Sequence, residues 1–118
     1  KFLGSGSFCI AYDIDGCITK GIKLETDAII ITGRSYQEAP ETYSMLHRMG
    51  IFNAVYFNPV RFEEKNPTKS AIWKAEMILQ ARINKFYEDG AIQKKIIDKI
   101  LVDCKYNSFL NHCDVKLI

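Results

Sequence analysis

Short, continuous apolar runs that close on turn-forming or acidic residues constrain this chain more than any other feature. Phe8-Cys9-Ile10-Ala11-Tyr12 ends in Asp13-Ile14-Asp15-Gly16, and Ala28-Ile29-Ile30-Ile31 ends in Thr32-Gly33-Arg34-Ser35. Phe52-Asn53-Ala54-Val55-Tyr56-Phe57 ends in Asn58-Pro59, and Asn84-Lys85-Phe86-Tyr87 ends in Glu88-Asp89-Gly90. The segment Asp114-Val115-Lys116-Leu117-Ile118 reads as a fifth strand. A strand with one wet face alternates apolar and polar residues. A run without that alternation suits a strand buried on both faces, as in a parallel sheet.

Helical patterns fill the intervals. One begins near Pro40, a residue suited to the first helical position, carries Tyr43, Leu46 and Met49 on one face, and stops at Gly50. A second has Asn66 as N-cap and Pro67 as its first residue; Ala71, Ile72, Ala75, Ile78 and Leu79 then form an apolar stripe that is core. A third runs from Ala91 towards Leu101 and is expected to bury Ile92, Ile96, Ile97 and Ile100. Strands alternating with helices predict an α/β protein, a three-layer Rossmann-like fold with a mostly parallel central sheet of about five strands. With 118 residues there is room for one domain, placed at 8–118, behind a flexible Gly-Ser lead-in at 1–7.

Composition narrows the function classes. The chain is 47% hydrophobic and 25% charged, enough to fill a core and against disorder. No apolar run approaches the ~20 residues of a membrane span, and the opening residues do not read as a signal peptide. Lys+Arg 16 against Asp+Glu 14 gives a net charge of +2, too small to argue for nucleic acid without a clustered basic face. Cys9, Cys17, Cys104 and Cys113 are too few and scattered for a disulfide framework and form no C-x-x-C pair. The spacing of Cys104, His112 and Cys113 does not recommend a zinc site. Reduced thiols in a cytoplasmic protein are the expectation.

Ligands of open α/β sheets bind beyond the carboxyl ends of the strands. Asp13 and Asp15 follow the first run, Thr32 the second, Glu88 and Asp89 the fourth. Singly, each is an ordinary turn or cap residue. Together, the carboxylates would repel one another unless a cation neutralised them, and an all-oxygen set favours a hard ion, magnesium above all. Lys69 falls in the first turn of the helix capped by Asn66, where the helix dipole disfavours a cation. A phosphate bound at that helix start would account for both.

At these residues the sequence resembles the haloacid dehalogenase-like phosphatases. Tyr12-Asp13-Ile14-Asp15-Gly16-Cys17-Ile18-Thr19 resembles their first motif, a strand followed by D-x-D-G. Ile31-Thr32-Gly33-Arg34 resembles the second, Lys69 matches the lysine of the third, and Glu88-Asp89-Gly90 resembles the acidic fourth. The motifs occur in the family's order from about Phe8 to Gln93, most of the chain. Cys17 stands where the family commonly has Thr or Val, and Gly90 where many members carry a further Asp.

The resemblance implies a magnesium-dependent phosphohydrolase. Asp13 would be the nucleophile and form an aspartyl-phosphate, and Asp15 would serve as acid and then base. Magnesium would be held by Asp13, the Asp15 carbonyl and Asp89, with Glu88 nearby. Thr32, Gly33 and Arg34 would grip phosphate, and Lys69 would neutralise developing charge. Sixteen residues separate Asp15 from Thr32, which leaves no room there for the cap domain many members insert. A capless, open site suits a phosphate on a bulky substrate: a protein, a large metabolite, or a nucleic-acid end approached past Lys20, Lys23, Arg34, Lys94 and Lys95. A polynucleotide 3′-phosphatase, a phosphotransferase to an acceptor other than water, and a non-catalytic binding module are the alternatives. The substrate and oligomeric state are not legible.

Overall fold

A computed structural model describes residues 10–104 and 113–118. The lead-in at 1–7, Phe8 and Cys9 of the first apolar run, and His112 lie outside the described residues. The elements are β1 (Ile10–Tyr12), β2 (Ile29–Ser35), α1 (Ala39–Arg48), β3 (Val55–Asn58), α2 (Pro67–Ala81), β4 (Lys85–Glu88), α3 (Ala91–Asp103) and β5 (Asp114–Leu117). Short 3-10 turns cover Ile18–Lys20, Tyr36–Glu38 and Phe62–Glu64.

The five strands form one sheet in the order β3-β2-β1-β4-β5, and every pairing is parallel. The chain builds outward from β1 through β2 to β3, then α2 carries it back to β4 on the other side of β1. The strand order therefore reverses between β1 and β4, the position at which open α/β sheets form a ligand crevice. Tyr12 of β1 lies level with Tyr87 of β4, so Asp13 and Glu88 follow at neighbouring heights.

Both sheet faces are covered, which is why the runs do not alternate. Ala11, Ile31, Phe86 and Val115 face the layer of α2 and α3 and pack with Ala71, Ala75, Ile78, Ile97 and Leu101. Tyr12 and Ile30 face the opposite way, into a second cluster with Ile14, Ile18, Ala28 and Leu46. Successive strand residues point to opposite faces, so each run feeds both clusters. Full burial of a side chain such as Phe86 or Ile97 stabilises by about 1.5–3 kcal/mol. The helix starts follow their capping residues: Oδ1 of Asn66 accepts the Lys69 N–H at 2.8 Å, with Pro67 at the first position of α2.

Several boundaries differ from the sequence reading. β2 does not stop at Ile31: past an irregularity between Ile31 and Ser35 it pairs again with β3 at Ser35–Asn58. Turn-prone Thr32-Gly33-Arg34 is thus carried inside a strand. β3 begins only at Val55, and Phe52 is 73% exposed with its ring stacked on His47. α1 buries Thr42 and Leu46 while Tyr43 and Met49 are exposed. Ile72 and Ile92 are exposed as well. Each lies about 100° round its helix from a neighbour that turns inward, Ala71 and Gln93 respectively. No helix among the described residues is long and apolar enough to cross a membrane.

Candidate functional site

The end of β1 carries Asp13 into the crevice. Its N–H donates to the Tyr87 carbonyl at 3.1 Å, extending the β1–β4 ladder by one rung. Its Oδ1 accepts the Ile14 N–H at 2.8 Å, and its Oδ2 accepts from Lys74 Nζ at 2.9 Å. Lys74 reaches across from α2, and its Nζ also donates to Glu88 Oε1 at 2.9 Å and Gln93 Oε1 at 2.8 Å. All three ammonium protons have acceptors. Glu88 Oε2 in turn accepts the Gly90 N–H at 3.0 Å. The side chains of Lys74, Asp13 and Glu88 are 2%, 7% and 1% exposed, so the cluster is dry.

Burial works against the Lys74 charge, yet Asp13 and Glu88 outweigh it and hold the ammonium above its ordinary range. Burial also pushes Asp13 up to about 6, against the pull of Lys74, with the Glu88 charge adding to the rise. Asp89 completes the group: one ligand oxygen each from Asp13, Glu88 and Asp89 lie within 4.8 Å of one another. Three carboxylates facing one ammonium leave two negative charges in excess. A set of hard oxygen donors with that excess fits a divalent cation. Both oxygens of Asp13 and both of Glu88 already accept hydrogen bonds, whereas Asp89 is exposed and available as a ligand.

Asp15 belongs to a second, wetter pair. Arg34 grips it with both arms of its fork, Nε to Oδ2 at 3.0 Å and Nη2 to Oδ1 at 2.7 Å, while Nη1 donates to Thr42 Oγ1 at 3.0 Å. The Arg34 hydrogen bonds hold Asp15 below the usual carboxylate range despite partial burial, and raise Arg34 in return. Thr32, fully buried, sits in the irregular part of β2; its Oγ1 accepts the Arg34 N–H at 3.0 Å and its carbonyl accepts the Trp73 indole N–H at 2.9 Å. Gly33 lies against α2: a Cβ there would be 3.0 Å from Ser70 Oγ and 3.6 Å from Lys74 Cε. This close approach brings the phosphate-binding candidates of β2 to the helix that carries Lys74.

The structure brings together Asp13, Glu88 and Asp89 around Lys74, and Asp15 with Arg34. It does not bring Lys69 to the carboxylates. Lys69 is exposed in the first turn of α2, and the lysine that reaches the cluster lies five residues, more than one turn, further on. Lys74 had a signal in the sequence: it follows Ala71 by three and precedes Ile78 by four, a charge set in the middle of a core stripe. Gln93 had none. Lys20, Lys23 and Lys95 are exposed, and Lys94 pairs with Asp98. Cys17 is buried beneath the cluster, its Sγ donating to the Tyr87 carbonyl at 3.5 Å; burial, with the nearby carboxylates, pushes its thiol up to about 12. Comparison with family models, curated proteins and solved structures finds no match to this chain.

Proposed function

We propose that this chain is a magnesium-dependent phosphohydrolase of the haloacid dehalogenase-like type, acting through an aspartyl-phosphate. The observation that carries the reading is the buried Lys74 ammonium, shared between Asp13 and Glu88 at the reversal point of the sheet. A carboxylate can attack a phosphate dianion only where cations screen the repulsion. Lys74 places one beside Asp13, and we give it the neutralising role expected of Lys69.

In this reading the Asp13 carboxylate attacks phosphorus, the bond from phosphorus to the leaving oxygen breaks, and that oxygen takes a proton from Asp15. Water then attacks the phosphorus of the aspartyl-phosphate and passes its proton to Asp15, freeing Asp13 and inorganic phosphate. Thr32 and the Gly33 N–H hold phosphate oxygens. Asp15 is held ionised by Arg34, so it must first release one of its two Arg34 bonds and take up a proton, from water or from the monoanion of the phosphate ester. That proton then passes to the leaving oxygen. Thr42 keeps Arg34 at hand, so an arriving phosphate and the Arg34 fork can meet. Magnesium bound by Asp13, Asp89 and the Asp15 carbonyl would add charge screening at the phosphate. Glu88 serves by fixing Lys74. Only the 3-10 turn Ile18–Lys20 lies between β1 and β2, so the crevice stays open to a bulky phosphate ester.

Magnesium-dependent phosphate release from an aryl phosphate, compared between the wild type and Asp13→Asn, tests the reading. Release that requires both the metal and Asp13 supports it. Release that persists in Asp13→Asn removes the aspartyl-phosphate. Magnesium binding with no release from any phosphate ester favours a non-catalytic binding module.

A further inference from the structure

The carboxyl rim carries an aromatic ring that the chemistry above does not use. Phe62 stands on the 3-10 turn after β3 and is 56% exposed. A single exposed phenylalanine is ordinary on a protein surface, but this one is anchored from two sides. Its N–H donates to Gln37 Oε1 at 2.9 Å, and the Lys65 ammonium sits 4.9 Å from its ring centroid. Lys65 donates to Glu38 Oε2 at 2.6 Å, and the same oxygen accepts the Ser35 N–H at 2.8 Å. The chain Phe62–Lys65–Glu38–Ser35 thus ties the ring to the end of β2, the strand that presents Thr32 and Arg34. Ser35 directly follows Arg34, whose fork holds Asp15, so the ring is tied to the same end of β2 as that pair.

We infer that the phosphate handled at this site is carried by a nucleoside, whose base stacks on Phe62 while its phosphate meets Arg34 at the end of β2. The inference rests on the phosphohydrolase reading for its chemistry and on Phe62 for its substrate class. A flat, electron-rich base gains from a fixed ring whose neighbours include a cation, and every base has a face to offer, so the platform is tolerant of base identity. The charge of the rim limits the size of the ligand. Arg34, Arg61 and Lys65 are matched there by Glu38, Glu63 and Glu64, and two of the cations are already ion-paired within this set. A surface that tracks a polynucleotide backbone needs an unbalanced run of positive charge. This balanced rim fits a nucleoside monophosphate.

The test separates the base from the phosphate. Asp13→Asn protein with magnesium is titrated by calorimetry with adenosine 5′-monophosphate and with ribose 5-phosphate, and kcat/KM for the two is measured on the wild type. The base is expected to tighten binding and raise kcat/KM by about 10-fold or more, the effect of one base–aromatic stack. Phe62→Ala should bring the two ligands to within about 3-fold, and Phe62→Trp should restore the gap. Equal handling of both ligands overturns the inference, as does a preference for the nucleotide that survives Phe62→Ala. Binding of a 3′-phosphorylated oligonucleotide far tighter than the monophosphate overturns it in favour of nucleic acid. A base preference in binding without phosphate release from any ester upholds the nucleotide site and removes the phosphohydrolase reading. Release from both esters at equal efficiency does the reverse.

Discussion

Gly16 and Asp89 compete for the same space: Gly16 has a φ of +81°, and a Cβ built on it would lie 1.9 Å from Asp89 Oδ2. The turn after β1 therefore presses bare backbone against the carboxylate that follows β4, across the point where the strand order reverses. Gly21 supplies the comparison, because its φ is +91° yet nothing lies within 4 Å of the corresponding atom. Alanine at Gly21 meets backbone strain alone, about 1–2 kcal/mol. Alanine at Gly16 meets the same strain and must also displace Asp89. We expect Gly16→Ala to cost more stability than Gly21→Ala in urea unfolding. Magnesium should raise the melting temperature of the wild type and of Gly21→Ala but not of Gly16→Ala. Equal costs and equal magnesium responses in the two variants would show that Asp89 needs no such seat.

Lys74 and Lys69 differ by more than position. Removing Lys74 leaves Asp13 and Glu88 buried and facing each other without a cation, a loss of about 3–5 kcal/mol for a buried pair broken on one side. Lys74→Met should therefore unfold at much lower urea than the wild type. Adding Glu88→Gln to Lys74→Met removes one of the two stranded charges and should recover part of the loss. Lys69→Ala, at an exposed site, should change stability by no more than about 0.5 kcal/mol. Phosphate release should collapse in Lys74→Met and survive in Lys69→Ala; the opposite ranking would return the neutralising role to Lys69.

This contrast also marks how far the sequence could be read. The strands and the layer order were legible because burial on both faces leaves runs such as Ala28–Ile31 with no alternation, and their shortness and flanking turn residues separate them from a buried helix. The carboxylates were legible because acidic residues at successive strand ends meet on one rim. Lys74 was missed because position in a helix turn, not distance along the chain, decides what a side chain reaches: Lys69 has the capped first turn, Lys74 the inward face. Ile72 and Ile92 were misassigned for the same reason, since hydrophobicity alone does not choose between two positions about 100° apart. β2 runs past Thr32-Gly33-Arg34 because pairing with β3 at Ser35–Asn58 overrides the local turn preference. Gln93 carries no signal at all in a single sequence, since its role depends on the third proton of an ammonium contributed by another helix.

Arg34 separates stability from chemistry. Its partner Asp15 is 62% exposed, so the pair is screened by water and contributes no more than about 1 kcal/mol to folding. Arg34→Lys retains the charge but loses the fork that binds two oxygens at once. We expect Arg34→Lys and Arg34→Ala to unfold within about 1 kcal/mol of the wild type. Phosphate release should fall roughly 10- to 1000-fold, the range for losing one charged donor to a reacting phosphate. Unfolding in urea and initial rates on the same preparations read the two effects side by side. A large loss of stability with unchanged rates would make Arg34 a structural clamp between β2 and α1.

The buried thiols set the alkaline limit of the fold. Burial pushes both Cys17 and Cys113 up to about 12 from an ordinary value of 9.0, and burial raises Tyr12 as well. Above about pH 9 the unfolded chain gives up thiol protons that the folded chain keeps. The folded state then binds more protons than the unfolded state, so stability falls as pH rises, and the contribution is fully present only below about pH 9. Urea midpoints should be flat from about pH 7 to 8.5 and decline from there towards pH 11. Cys113 sits in the α2–α3 core, where burial acts first and Asp114 and Asp98 add to the rise. It is apart from the Asp13–Glu88–Asp89 cluster that acts on Cys17, which makes it the cleaner probe. Cys113→Ala removes one titrating group, so its decline over the same range should be shallower than that of the wild type, whatever its midpoint at neutral pH. A slope identical to the wild type would show that the Cys113 thiol ionises as freely in the folded protein as in the unfolded chain.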